Sequence, residues 1–233
     1  MTPRVKSLLW LRKQYLLSNK LYIYMFLISP LLDIYLIRLI LEMSRTQVNS
    51  TLEGLVLSFL IFWQALIFLS LLTADEKQTK NLRNLQVMGV TPLEYILSFV
   101  LPFIVFTGIG WLAPLILGFR PVSWLYYLLL VPLTTLVYSL LGIFFTLVTR
   151  KAYQALVISF VPVILSTAAN FWYSNSWIKL LTDYSPLGAS MDLLYAGEQF
   201  HLLSGSFGML LVWLVLSLVG TVWLYKANQT REK

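Results

Sequence analysis

Six long apolar segments alternate with short polar segments along this chain of 233 residues. They cover about residues 21–41, 55–74, 93–117, 124–148, 155–171 and 207–225. Each has roughly the length that crosses about 30 Å of hydrocarbon at about 1.5 Å per helical residue, although the fifth is the shortest. The pattern predicts an all-α integral membrane protein, with six transmembrane helices in one domain over residues 1–233.

Basic residues between these segments predict which ends face the cytoplasm. Of the 17 Lys and Arg residues, most fall before the first segment, after every second segment and at the C-terminus. Cytoplasmic loops of membrane proteins accumulate such residues, so both termini are predicted to be cytoplasmic. The chain is 58% hydrophobic and 12% charged, which excludes an ordinary soluble domain. Its charge of +7 is scattered among apolar runs, so no nucleic-acid partner is predicted.

Two further segments have the pattern of short amphipathic helices. Residues 1–20 are basic and predict an interfacial helix, in which Arg12 interrupts the apolar side. Residues 172–206 predict two short helices at the outer membrane surface, the second opened by Ser185 as N-cap with Pro186 at the first helical position. An ordinary amphipathic extracellular loop is the alternative for this second segment.

The polar segment between the second and third apolar runs predicts a cytoplasmic helix. Helical spacing extends from Glu76 to Met88, and Glu76 stands four residues before Lys80 in the favourable order for an ion pair. One stripe of this helix comprises Thr79, Leu82, Leu85 and Met88. A solvated charged loop is the alternative interpretation.

Capping signals follow this helix directly. Gly89 is suited to end a helix, and Thr91 with Glu94 forms a capping box around Pro92 at the first helical position of the next one. Val90 and Tyr95 have the spacing of a hydrophobic staple. One helix therefore ends and the next begins within a few residues, which predicts a fixed angle between them.

The stretch EKQTKNLRNLQVMGVTPLEYILSFVLPF resembles the segment between the second and third spans of ABC-2 type transporter permeases, particularly bacterial relatives of the A-subfamily lipid transporters. The matching positions are Glu76, Lys77, Lys80, Leu82, Arg83, Leu85, Met88, Gly89, Tyr95, Leu97, Ser98 and Phe99. In that family the segment is a coupling helix that rests in a groove of the ATPase subunit. The resemblance implies a coupling helix over residues 76–89, with ATPase contacts made by Glu76, Lys77, Thr79, Lys80, Leu82, Arg83, Leu85, Met88 and Gly89.

The same resemblance implies the partners of this chain. The chain has no Walker A sequence, so ATP and Mg are expected on two copies of a separate ATP-binding subunit, and this chain is expected to be a transport subunit rather than an enzyme. A second permease, identical or similar, would complete an exporter in a bacterial cell membrane. A small chain with an aromatic, apolar interior and no large outer domain suits an amphipathic or hydrophobic cargo: a peptide such as a bacteriocin or toxin, a drug or a lipid, with self-immunity as a related role. Residues 42–54 form only a short loop where close relatives often carry a large domain, so lipid transport of their kind is not implied.

Three polar residues within the apolar segments are candidates for a translocation path: Asp33, Gln64 and Asn170. Asp33 lies well inside the first apolar segment. An acid within a membrane span costs about 2.5 to 3.5 kcal/mol on insertion scales, which by default indicates a function. Helix-to-helix hydrogen bonding is the alternative for all three. His201 is the single histidine and the chain contains no cysteine, so neither a thiolate nor a multi-histidine metal site is predicted.

Two other functional classes compete with an exporter. A substrate-binding membrane subunit of an importer would also have about six spans and no ATPase, but it would leave the capped cytoplasmic helix unexplained. An intramembrane enzyme would need paired acids or several histidines within the spans, and away from the ends of the apolar segments the chain offers Asp33 alone. A neighbouring ATPase gene would favour the exporter.

Overall fold

A computed structural model describes residues 3–24, 35, 63–116, 124–149, 151–171, 184–196 and 204–231. Within these ranges every regular element is a helix, which confirms the all-α class. The helices are α1 (Pro3–Ser18), α2 (Lys20–Ile23), α3 (Leu69–Gln78), which continues a π-helical segment at Trp63–Phe68, α4 (Asn81–Val87), α5 (Pro92–Ile116), α6 (Trp124–Val148), α7 (Ala152–Phe171), α8 (Pro186–Ala196) and α9 (Gly205–Arg231).

Two stretches of the described residues are long and apolar enough to cross a membrane, judged by length and composition. They are Leu128–Val148 of α6 and Gly205–Gln229 of α9. The most apolar window of α6 is 56% buried and that of α9 is 17% buried, so α6 is central and α9 presents an apolar surface outward. Most of the predicted span at 21–41 and the first part of the span at 55–74 lie outside the described residues.

Close backbone approach explains why α6 is central. A Cβ atom added to Gly142 of α6 would lie 2.6 Å from the carbonyl oxygen of Leu66. Only glycine therefore allows α6 to pack this closely on the π-helical segment at Trp63–Phe68. Thr146 strengthens the contact by donating its hydroxyl to the carbonyl of Ser70 at 2.9 Å. Small residues at such crossings are typical of helices that pack in membranes.

Helix α1 packs along α5 through a single stripe. Its buried residues are Val5, Leu8, Arg12 and Leu16, and their spacing of three or four places them on one side of the helix. The predicted N-terminal helix is thus present. Arg12 lies within its packed stripe and does not interrupt it.

The prediction of one continuous helix over residues 76–89 is wrong. Helix α3 runs on to Gln78 and ends there, and α4 begins at Asn81. Between them Lys80 has a left-handed backbone with φ of 61°, which no continuous helix contains. Two tertiary demands account for the break: Glu76 and Leu82 are both buried, and the chain must change direction to bury them both.

The predicted start of the second outer helix is confirmed. Helix α8 begins at Pro186, and the side chain of Ser185 accepts a hydrogen bond from the backbone N–H of Gly188 at 3.0 Å. The helix packs on the early part of α9 in a small cluster that contains Leu130, Leu193 and Leu210. Residues 172–183, where the first outer helix was predicted, lie outside the described residues.

Candidate functional site

Helix α4 is held against the protein by one side. Leu82 and Leu85 are buried in the main hydrophobic core. Gln86 is also buried and donates its side-chain amide to the carbonyl of Tyr225 at 3.0 Å. The apolar side of α4 therefore stabilises the fold and connects the helix to the end of α9.

The opposite side of α4 is open. Val87 is 80% exposed and Met88 is 63% exposed, and Arg83 and Asn84 are exposed beside them. The predicted contact stripe of Thr79, Leu82, Leu85 and Met88 is therefore wrong as a single outward face. The left-handed turn at Lys80 takes Thr79 out of helical register with Leu82, whose side chain points inward.

Gly89 ends α4 as the sequence predicts. Its φ is 74°, and its N–H donates to the carbonyl of Gln86 at 3.1 Å while that of Val90 donates to the carbonyl of Leu85 at 3.0 Å. This pair of bonds is a Schellman motif, which satisfies the last carbonyls of the helix. The carbonyl of Gly89 accepts a further bond from Arg4 at 3.1 Å, so α1 also holds the joint.

The capping box that starts α5 is confirmed. The backbone N–H of Thr91 donates to the Glu94 carboxylate at 3.0 Å, and the N–H of Glu94 donates to the hydroxyl of Thr91 at 3.3 Å. Val90 and Tyr95 are both buried in the same core. The hydroxyl of Tyr225 donates to the carbonyl of Val90 at 3.1 Å. Helices α4, α5 and α9 are therefore fixed to one another at this joint.

Glu76 does not lie on the outward face. It is buried and forms an ion pair with Arg12, whose Nη2 donates to Glu76 Oε2 at 2.9 Å. The predicted pair of Glu76 with Lys80 is wrong, because the backbone of Lys80 is left-handed and the intervening helix has ended. Glu76 therefore anchors α1 to α3.

Arg12 is the neighbour of the candidate site that the sequence pattern did not identify. Its guanidinium carbon lies 3.8 Å from the centroid of the Phe99 ring, in the range of a cation–π contact. Burial lowers the pKa of Arg12 to about 10, so the guanidinium is still protonated at neutral pH. The available signal was its position, midway between Leu8 and Leu16 on the packed stripe of α1.

The other charged residues before the break also serve the fold. Asp75 accepts hydrogen bonds from the hydroxyl groups of Tyr15 and Tyr22. The ammonium of Lys77 donates to the carbonyls at the C-terminal end of α6, namely those of Thr146, Leu147 and Thr149. A cation is favourable there, because the final carbonyls of a helix carry partial negative charge. Lys77 is thus a helix-capping residue rather than an outward contact.

The translocation path predicted at Asp33, Gln64 and Asn170 stays a prediction, because none of these side chains is described. Asp33 lies outside the described residues. Gln64 belongs to the π-helical segment and Asn170 to the last turn of α7, and their side chains are not among those described. Among the described residues, no group of three or more His, Asp or Glu side chains could hold a metal ion.

Comparisons with family models, with curated proteins and with solved structures gave no match. A functional interpretation therefore depends on the geometry of α4 and of the joint that follows it.

Proposed function

We propose that this chain is the membrane permease of an ABC-2 type exporter, in which α4 receives force from a separate ATP-binding subunit. The observation that carries this proposal is the construction of α4. The helix is short, both its ends are defined by backbone geometry, and its outward side exposes Arg83, Val87 and Met88. A coupling helix needs these properties: an open contact surface and a stiff connection to the membrane helices.

The contact surface comprises five residues: Lys80, Arg83, Asn84, Val87 and Met88. Methionine and arginine are enriched in protein interfaces, and exposed apolar side chains become favourable contacts when a partner covers them. Leu82 and Leu85 stay within the core and hold the helix in place. The outward group thus shares Met88 with the predicted stripe, but Arg83, Asn84 and Val87 take the places of Leu82 and Leu85.

Force applied to this surface would reach several helices together. The Schellman motif and the capping box lead directly from α4 into α5. Gln86 and the carbonyl of Val90 bind Tyr225 at the end of α9, and Arg4 binds the carbonyl of Gly89. A push on α4 would therefore move α1, α5 and α9 as a unit rather than bend one loop.

The whole transporter would contain six spans in each permease, two permease copies and two ATP-binding subunits that carry ATP and Mg. With both termini cytoplasmic, as the basic residues predict, α4 would lie on the side where ATP is available. The cargo class remains the one inferred from the sequence, an amphipathic or hydrophobic peptide, drug or lipid that leaves between the two permeases.

The test is co-purification of this chain with a candidate ATP-binding subunit from the same organism, expressed together with it. The double variant Val87→Asp/Met88→Asp places two charges on the outward surface, and we expect it to retain less than a tenth of the bound ATPase. The matched control is Gln14→Glu/Gln229→Glu, which adds the same charge at two exposed positions elsewhere. Undiminished binding by the Asp variant, with unchanged thermal stability, would show that α4 is not the coupling helix.

A further inference from the structure

A basic pocket lies where the turn after α3, helix α4 and the end of α9 meet. Its volume is about 280 Å³, and its lining residues are Lys77, Lys80, Leu82, Arg83, Gln86 and Asn228. Three of the six are cations and none is an acid. An opening of this size accommodates a phosphate group together with part of the molecule that carries it.

Acidic residues close in sequence are directed away from this pocket. Glu76 is buried against Arg12, and Asp75 accepts hydrogen bonds from Tyr15 and Tyr22. Side chains of α1 and α2 thus bind the carboxylates of both Asp75 and Glu76. The positive charge of the pocket is therefore not balanced by any carboxylate in its lining.

The three cations have different roles. The ammonium of Lys77 donates to the terminal carbonyls of α6, so it supplies a fixed charge in the pocket wall. Lys80 and Arg83 have exposed side chains and can bind an anion directly. Arginine forms paired hydrogen bonds with phosphate oxygens and lysine binds phosphate as a point charge.

Backbone strain coincides with this pocket. Lys80 has a φ of 61°, a conformation that residues other than glycine and asparagine adopt at a cost. Strain of this kind persists where the surrounding structure demands it and is concentrated at ligand sites and switch regions. The left-handed turn brings Lys80 into the same pocket wall as Arg83.

We infer that this pocket binds an anionic phosphate group, supplied by a phospholipid head group or by soluble phosphate. Asn228 lies near the end of α9, and the carbonyls that Lys77 caps lie at the end of α6. These two helices contain the stretches long enough to cross a membrane, so the pocket lies at their ends, where head groups are found. Basic pockets at this level bind anionic head groups. The inference does not depend on the ATP-binding subunit.

The test uses the full chain, purified in detergent without any partner. The probes are phosphatidylglycerol, phosphatidylcholine and inorganic phosphate, with bound lipid counted by native mass spectrometry and phosphate binding followed by thermal stabilisation. The variant is Lys80→Asn/Arg83→Gln, because asparagine tolerates the left-handed backbone. Arg83→Gln alone leaves that turn untouched. The control Lys13→Gln/Lys151→Gln removes the same charge from two exposed positions outside the pocket.

Each removed charge is expected to weaken binding about fivefold, and the double variant about 25-fold. Phosphatidylglycerol binding that follows this pattern, with phosphatidylcholine excluded, supports a head-group site. If the binding of inorganic phosphate shows this pattern of loss and the binding of phosphatidylglycerol does not, the site is one for soluble phosphate. Equal binding by the wild type and the double variant overturns the inference, and so does an equal loss in the control.

A loss of ATPase capture in Lys80→Asn/Arg83→Gln, without any change for either phosphate probe, also overturns it and assigns these cations to protein docking. The variant Val87→Asp/Met88→Asp retains every lining residue of the pocket. Failure of the proposed coupling and failure of the phosphate site can therefore be distinguished.

Discussion

Arg12 and Glu76, 64 positions apart in the sequence, form an ion pair in which both side chains are 4% exposed. Removing two charges from water is costly, and the pair is tolerated because each charge has the other as its partner. The guanidinium also lies over the ring of Phe99. The ion pair joins α1 to α3, the helix that precedes the proposed coupling helix α4.

Breaking this ion pair from one side is expected to destabilise the protein strongly. Arg12→Met or Glu76→Gln alone leaves a buried group without its partner, at a cost of about 3 to 5 kcal/mol in the free energy of unfolding. The double variant Arg12→Met/Glu76→Met leaves no buried charge and should lose much less than the sum. Denaturant unfolding in mixed micelles measures all three. A double variant as unstable as the sum of the singles would contradict the pairing.

Gly89→Ala tests the left-handed end of α4. The φ of 74° excludes most residues, although a Cβ would meet nothing closer than Arg4 Nη1 at 3.9 Å. The loss should therefore come from backbone strain, about 1 to 2 kcal/mol, and Gly89→Asn should lose less. Gly208→Ala is the matched control, because it lies in α9 with open space around it and should be neutral or slightly stabilising. Equal stability of the two alanine variants would exclude the Schellman geometry.

Helix crossings at α6 predict a graded response to added methyl groups. A Cβ at Gly142 would meet backbone atoms of the neighbouring helix, whereas one at Gly220 would meet the ring of Phe144 at 2.8 Å. Overpacking costs about 1 to 3 kcal/mol in the free energy of unfolding. A ring can rotate away and a backbone cannot, so Gly142→Ala should lose more of this free energy than Gly220→Ala. Thermal unfolding of both variants gives the order, and the reverse order would place the tight crossing elsewhere.

Short-range signals in this sequence were sufficient wherever the interacting groups are close along the chain. The caps at Gly89, Thr91 and Ser185 join residues within six positions of one another, so their residue types determine the geometry. The helical class follows from apolar segments whose own backbone bonds are satisfied internally. These parts of the fold could be predicted without knowing any neighbour.

Long-range partners could not be obtained in the same way. The break at Lys80 follows from where Glu76 and Leu82 are buried, and both depend on helices far away in the sequence. Periodicity placed Leu82, Leu85 and Met88 on one stripe, but it does not say whether a stripe faces the core or a partner. The candidate contact surface therefore shifted once the packing partners were known.

Because Leu82 is buried and Met88 is exposed, the stability of the chain and its binding to the ATP-binding subunit should depend on different residues. Two single substitutions test this. Leu82 is 5% exposed in the core, so Leu82→Ala should cost about 2 to 5 kcal/mol in the free energy of unfolding. Met88 is 63% exposed, so Met88→Ala should change that free energy by less than about 0.5 kcal/mol.

In the presence of the ATP-binding subunit the expected order is reversed. Met88→Ala should weaken binding because it removes an exposed apolar contact, whereas folded Leu82→Ala retains the whole outward surface. Unfolding of each variant alone, followed by titration with the ATP-binding subunit, measures both quantities. If Met88→Ala binds as well as the wild type while folded Leu82→Ala does not, the partner contacts the stripe that this structure places inside the core, and the outward surface of α4 has another use.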